Sequence, residues 1–165
     1  MKTLYLAGPR GFSELNKPGT ELIEAILSKK FHVVNPFKET KELGRKIGVL
    51  HQKLSKSENP APFSQIQQSL QEINHQIGEH NVVSIRGADL VLAVLDGSDV
   101  DSGTASEIGF AFALGKPIWG LRGDMRWSGD NLGSRINLQV EYFITAGGGK
   151  ILFSLKDLRS WIDSQ

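Results

Sequence analysis

The sequence predicts an α/β protein: a doubly wound, five-stranded parallel sheet with helices on both faces. Three observations carry this. Strand-like and helix-like stretches alternate along the chain, which is the pattern of parallel strands joined by helical crossovers. The segment Leu90 to Leu95 is an almost unbroken apolar run, as expected of a strand buried on both of its faces. The 165 residues, 39% of them hydrophobic, suffice for one domain spanning residues 1–165 with a core of its own.

Each element has its own signal. Thr3 to Ala7 reads as a first buried strand, broken by Gly8, Pro9 and Gly11. Glu21 to Lys29 carries Leu22, Ile23, Ile26 and Leu27 at helical spacing and leads into a strand at Phe31 to Val34, ended by Asn35-Pro36. From Lys38 to Pro62 the pattern weakens, and an irregular, mobile excursion with one short helix around Lys41 to Leu50 is expected. Ser64 to Glu79 places Ile66, Leu70, Ile73 and Ile77 on one helical face. The central strand ends in Asp96, Gly97, Ser98 and Asp99, and a helix starts near Ser102, with Thr104 also able to cap and Ile108, Ala111, Phe112 and Gly115 forming the inward stripe. A strand at Pro117 to Leu121, the loop RGDMRWSGDN, a helix at Leu138 to Ala146, a Gly-rich turn, a strand at Lys150 to Phe153 and a helix capped by Ser154 complete the order.

Composition excludes several functions. A net charge of +1, from 19 basic and 18 acidic residues interspersed along the chain, gives no electrostatic case for nucleic acid or a membrane surface. With no cysteine there is no disulfide framework, thiolate metal site or cysteine nucleophile. His32, His51, His75 and His80 are scattered without ligand spacing, and no G-x-S-x-G serine motif occurs. In GFAFALGKP, five residues separate the glycines and Pro117 stands where a phosphate loop needs Ser or Thr, so Gly115 reads as a helix C-cap. No apolar run reaches membrane length and the N-terminus carries no leader pattern, so a cytoplasmic protein is expected.

The chemistry concentrates in DSGTASEIGFAFALGKP, residues 101–117. Glu107 lies in the second turn of its helix, just beyond a strand's carboxyl end, where open α/β sheets place their ligands; near the positive helix end its carboxylate is expected to stay ionised. The bland alternative is a solvated helix residue beside a second capping group at Asp101. Against it stand three loop aspartates, Asp96, Asp99 and Asp101, more charge than one cap needs, and the contact of Glu107 with the buried stripe through Ile108 and Ala111.

This segment resembles the signature of the nucleoside 2-deoxyribosyltransferases. So do LYLAGPRGF, GADLVLAVLDG, the Asp101 to Glu107 spacing and RINLQVEYF; between Asn35 and Asn81 the likeness is poor. The resemblance implies a flavodoxin-like strand order 2-1-3-4-5, which brings Tyr5, Gly8 and Phe12 near Asp101 and Glu107. It implies transfer of a 2-deoxyribosyl group between nucleobases, with Glu107 as nucleophile, Tyr5 holding its carboxylate and Asp101 binding the sugar. Gly8 would admit close approach of the backbone, Phe12 would wall the base, and Asn137 would reach into a neighbouring subunit's site, making the active unit at least a homodimer. Free nucleosides and nucleobases are the implied partners, and no cofactor is required. In their bland readings Tyr5 is a core tyrosine, Phe12 packs on the domain and Asn137 is a helix N-cap. The loop RGDMRWSGDN is read either as part of a lid or as a solvated interface loop. One departure stands out: Asn81 occupies the position eight residues before Asp89 where many members carry an acid, and an amide hydrogen-bonds a base but delivers no proton. Asp89 reads as fixing the strand entrance. Two other classes stay open: a nucleotide N-glycosidase of related fold, and a non-catalytic nucleotide-binding module.

Overall fold

The structure, a computed structural model, describes residues 1–9, 17–55 and 61–165. Its elements are β1 (Lys2–Ala7), α1 (Lys17–Leu27), β2 (Phe31–Val34), α2 (Pro36–Glu39), α3 (Lys41–Ser55), α4 (Ala61–Gly87), β3 (Leu90–Val94), α5 (Ser102–Ala113), β4 (Ile118–Leu121), α6 (Leu138–Ala146), β5 (Ile151–Leu152) and α7 (Leu155–Asp163). The five strands form one parallel sheet in the order β2-β1-β3-β4-β5, with Tyr5 level with Val34 on one side and Val91 on the other. The strand order is the one the family resemblance implied.

The chain divides into two compact units, residues 1–35 with 85–165, and residues 36–84. In the first unit, alternation along each strand sorts side chains onto two faces. Leu4, Leu6, Leu90, Leu92 and Val94 pack with Ile23, Ile26 and Leu27 of α1 and Leu158, Trp161 and Ile162 of α7. Phe31 and Trp119 stack against Trp161 there, with ring centroids 5.7 and 4.7 Å apart. The opposite face sets Tyr5, Ala7, Val91, Ala93 and Leu95 against Ile108 and Ala111 of α5, Val140 and Ile144 of α6, and Ile85. A small residue lets α6 come close: a Cβ on Gly120 would lie 3.2 Å from Ile144 Cδ1. The caps follow the sequence. Ser154 accepts from the Asp157 amide at the start of α7, Gly115 closes α5 at φ +68°, and Asp89 accepts from the Thr3 amide at 2.7 Å, fixing the strand entrance.

The second unit corrects the sequence reading. Residues 36–55 are not an irregular excursion with a short helix: α2 is followed by the fifteen-residue α3. Leu43, Ile47, Leu50 and Leu54 recur on one side of α3 and are only half-buried, so the stripe that stabilises it is thin. Arg45 pairs with Glu42 one turn before it at 2.6 Å. Likewise α4 extends well past the Ser64 to Glu79 segment at both ends.

Candidate active site

The carboxyl ends of β1 and β3 and the amino end of α5 build the site. Tyr5 points from β1 to the α5 face, where packing leaves it wholly buried. Its hydroxyl donates to Glu107 Oε1 at 2.7 Å, linking residues 102 positions apart. Tyr5 is thus a core residue, and the partner of its hydroxyl is the helix carboxylate. Asp101 caps α5, with Oδ2 accepting from the Thr104 amide at 3.0 Å and from Thr104 Oγ1 at 3.1 Å. One carboxylate oxygen of Asp101 thus serves the fold and Oδ1 lies outside both bonds.

The electrostatics differ from the sequence expectation. Glu107 does not simply stay ionised: burial pushes its pKa from the usual 4.5 to about 7, the Tyr5 hydrogen bond pulls the other way, and the neighbouring Asp101 charge adds to the rise. Desolvation, the largest cause, outweighs the hydrogen bond from Tyr5. The Tyr5 hydroxyl is held far above the ordinary tyrosine range by burial first and by Glu107 second, so the shared proton stays on the phenol and the carboxylate accepts.

The surplus of loop aspartates also has a local cause. Asp96 Oδ1 accepts from the Gly123 and Asp124 amides at 2.7 and 3.0 Å, and Asp99 Oδ1 from the Val100 amide at 2.7 Å. The side chains of Asp96 and Asp99 thus organise backbone, while Asp101 acts electrostatically on Glu107.

Gly8 follows β1 at φ +152°, and a Cβ there would lie 2.9 Å from Val94 Cβ; the close approach that requires glycine is to β3. Asn137 is the N-cap of α6, its Oδ1 accepting from the Gln139 and Val140 amides at 3.1 and 3.3 Å, and Asp130 adds a bond to the Leu138 amide at 2.6 Å. The structure brings Tyr5, Asp101 and Glu107 together and places Asn137 at the head of α6. Asn81 is a half-buried residue of α4 in the second unit. Phe12 lies outside the described residues. In the RGDMRWSGDN segment, Asp124 and Arg126 form an exposed ion pair at 2.5 Å that holds the Asp124 carboxyl below the usual range, and Arg135 lies over the rings of Trp127 and Phe153 at 5.6 and 4.5 Å. A cavity of about 300 Å³ lined by Gly19, Leu22, Ile23, Asp96, Leu121, Gly123 and Leu155 touches neither Tyr5 nor Glu107.

Sequence reasoning missed Arg122. It follows β4, is almost wholly buried, and donates only to backbone carbonyls. The signal for it was an arginine closing the apolar strand PIWGL. Among the described residues, no group of three or more His, Asp or Glu side chains is placed to hold a metal ion, and no helix is long and apolar enough to cross a membrane.

A parallel sheet of this order, with a tyrosine-bound carboxylate at the switch between β1 and β3, defines an α/β protein with a ligand site of the doubly wound type. The sequence profile "Nucleoside 2-deoxyribosyltransferase" matches residues 4–139, and the chain belongs to that family, whose enzymes act on nucleosides and nucleobases. Solved structures are similar over nearly the whole chain. A 2-deoxyribosyltransferase from Leishmania mexicana is 21% identical, with 99% of this chain and 98% of that one covered and a TM-score of 0.63. The 2-deoxyribosyltransferase from Bacillus psychrosaccharolyticus is 21% identical, with 95% and 90% covered and a TM-score of 0.62. A CMP N-glycosidase from Clostridium botulinum is 17% identical, with 99% and 97% covered and a TM-score of 0.53. At these identities the likeness is one of fold. No curated protein matches the sequence.

Proposed function

We propose that the protein transfers a 2-deoxyribosyl group between nucleobases by a retaining double displacement through Glu107. The observation that carries this reading is the 2.7 Å hydrogen bond from the buried Tyr5 hydroxyl to Glu107 Oε1. Cleavage of an N-glycosidic bond builds positive charge on the sugar, which a carboxylate beneath the anomeric carbon stabilises and then captures. In the first displacement a Glu107 oxygen bonds to C1′ and the C–N bond breaks, its electron pair leaving with the base, which takes up a proton. In the second, a nitrogen of the incoming base loses its proton and bonds to C1′, and the C–O bond breaks to return the carboxylate. Two inversions give net retention. Tyr5 orients the carboxylate, and no cofactor enters either step.

Asp101 would hydrogen-bond the sugar through Oδ1 and repel a 5-phosphate. At about 4 Å and an effective dielectric of about 20, one unit-charge repulsion is on the order of 4 kcal/mol before screening, enough to favour free nucleosides. Gly8, Phe12 and Asn137 complete the proposed substrate contacts, with Asn137 serving a neighbouring subunit of a homo-oligomer, each chain acting as one cytoplasmic domain. The amide donors of Asn137 point to this use, since its oxygen is already committed to the α6 cap. The similarity to a nucleotide N-glycosidase makes hydrolysis the second reading. Incubating the protein with deoxyinosine or its 5-monophosphate, with and without adenine, separates the two. Deoxyadenosine from the free nucleoside is expected; free sugar phosphate from the monophosphate alone would favour the hydrolase.

A further inference from the structure

The loops after β3 and β4 are bound to each other reciprocally. From one side, Arg122 Nη1 donates to Leu95 O at 2.5 Å and Nη2 to Gly97 O at 3.4 Å and to Arg126 O at 2.8 Å. From the other, Asp96 Oδ1 accepts the Gly123 and Asp124 amides. Arg122 is 2% exposed, and among the described residues its guanidinium meets carbonyl oxygens alone, on both loops at once. A buried arginine is costly to desolvate, and a planar fork with five donors is the one side chain that serves three diverging carbonyls together. Gly97 sits at φ +140°, where a Cβ would meet Asp99 O at 2.9 Å, so the path of the clasped loop requires glycine at this position. Four residues after Gly97 comes Asp101, the cap of α5 and the charge beside Glu107.

We propose that Arg122 is a positioning residue: its buried guanidinium clasps the acidic loop to the loop after β4 and so fixes Asp101 and the first turns of α5 beneath the reacting sugar. The inference rests on the reading of Glu107 as the nucleophile. Arg122 touches no substrate in this scheme; it acts through the backbone at 95, 97 and 126. When the clasp loosens, the loop gains freedom, Asp101 recedes and water reaches Glu107. Displacement of catalytic groups by about an ångström costs on the order of a hundredfold in rate.

The test compares Arg122→Lys, which keeps the charge but serves fewer carbonyls, with Arg122→Met and with Leu92→Ala, which weakens the opposite face of the sheet. Two readouts are taken on protein shown to be folded by circular dichroism: base-exchange kinetics, and the titration of the Glu107 carboxyl by carbon-13 NMR, assigned by its loss in Glu107→Gln. Tyr5 from β1 and Asp101 from the α5 cap face Glu107 among the described residues, and neither is altered. Expected for Arg122→Lys are a kcat lower by about tenfold to a hundredfold, a smaller change in KM, and a Glu107 midpoint displaced towards the ordinary carboxylate range. Leu92→Ala should lower the melting temperature without displacing that midpoint. A folded Arg122→Lys protein whose Glu107 midpoint is that of the wild type overturns the proposal, whatever its melting temperature, and Arg122→Met is read the same way if it folds. A wild type that neither exchanges nor hydrolyses nucleosides defeats the reading of Glu107, while the titration still decides whether Arg122 positions the loop.

Discussion

The two faces of the sheet are made by the same strands and differ in what they bury. Towards α1 and α7 the strand residues of the core are all Leu, Val or aromatic, and Phe31, Trp119 and Trp161 stack into a continuous apolar layer. Towards α5 and α6 the strands offer Ala7, Ala93 and Gly120 beside Tyr5, and the layer takes in a carboxylate. One face is organised for cohesion. The other gives up apolar volume for room and holds an acid whose burial raises its pKa to about 7, a strain that a core built only for stability would not keep. Substitutions on the two faces should therefore separate stability from activity.

The largest effect is expected at Glu107. Glu107→Ala should lower base exchange by roughly three orders of magnitude or more, with the circular dichroism of the wild type retained; steady-state kinetics on deoxyinosine and adenine reads it. On the other face, Leu92→Ala removes a wholly buried side chain from the apolar layer. Urea unfolding should show a loss of about 3 kcal/mol, with kcat within a few-fold of the wild type in dilute buffer. A loss of activity out of proportion to stability there would erase the contrast between the faces.

Tyr5→Phe should cost about tenfold to a hundredfold in kcat, the scale of one hydrogen bond to a charged group. Its signature is the direction of the pH shift. The Tyr5 hydrogen bond lowers the Glu107 pKa while burial and Asp101 raise it, so losing the hydroxyl moves the acid limb of the rate profile above its wild-type midpoint near 7. A limb that moves down would show that Tyr5 does not donate to the ionised carboxylate.

The smallest effect is one of stability. Glu107 binds its proton more tightly folded, at about 7, than unfolded, near 4.5, so it lowers the stability of the fold progressively as pH rises between those values and by a constant amount above them. Glu107→Gln should therefore stabilise the protein by on the order of 1–3 kcal/mol at pH 8 and by nearly nothing at pH 4. Melting temperatures at the two pH values read the difference.

What the sequence revealed follows the same division. Apolar runs and caps located all five strands and the helices α5, α6 and α7, because Leu90 to Leu95, Asn137 and Ser154 act through local pattern. The Tyr5 to Glu107 pairing came from the family resemblance and strand order together, since neither residue signals the other across 102 positions. Three things were hidden. The helix α3 was obscured because Gly44 and Gly48 interrupt it and its apolar stripe is only half-buried. The loop aspartates read as more charge than one cap needs because the amide partners of Asp96, at 123 and 124, lie on the loop after β4. The pKa of Glu107 depends on burial, a tertiary quantity that helix position alone misjudged.

The central claim is that Glu107 forms a bond to the sugar. Incubation with a 2-fluoro-2-deoxynucleoside, which slows release of the glycosyl group, followed by proteolysis and mass spectrometry, tests it directly. The expected result is one fluorodeoxyribosyl adduct on the peptide containing Glu107, discharged by added adenine. Turnover of the natural nucleoside with no adduct, or an adduct on another carboxylate, would contradict it.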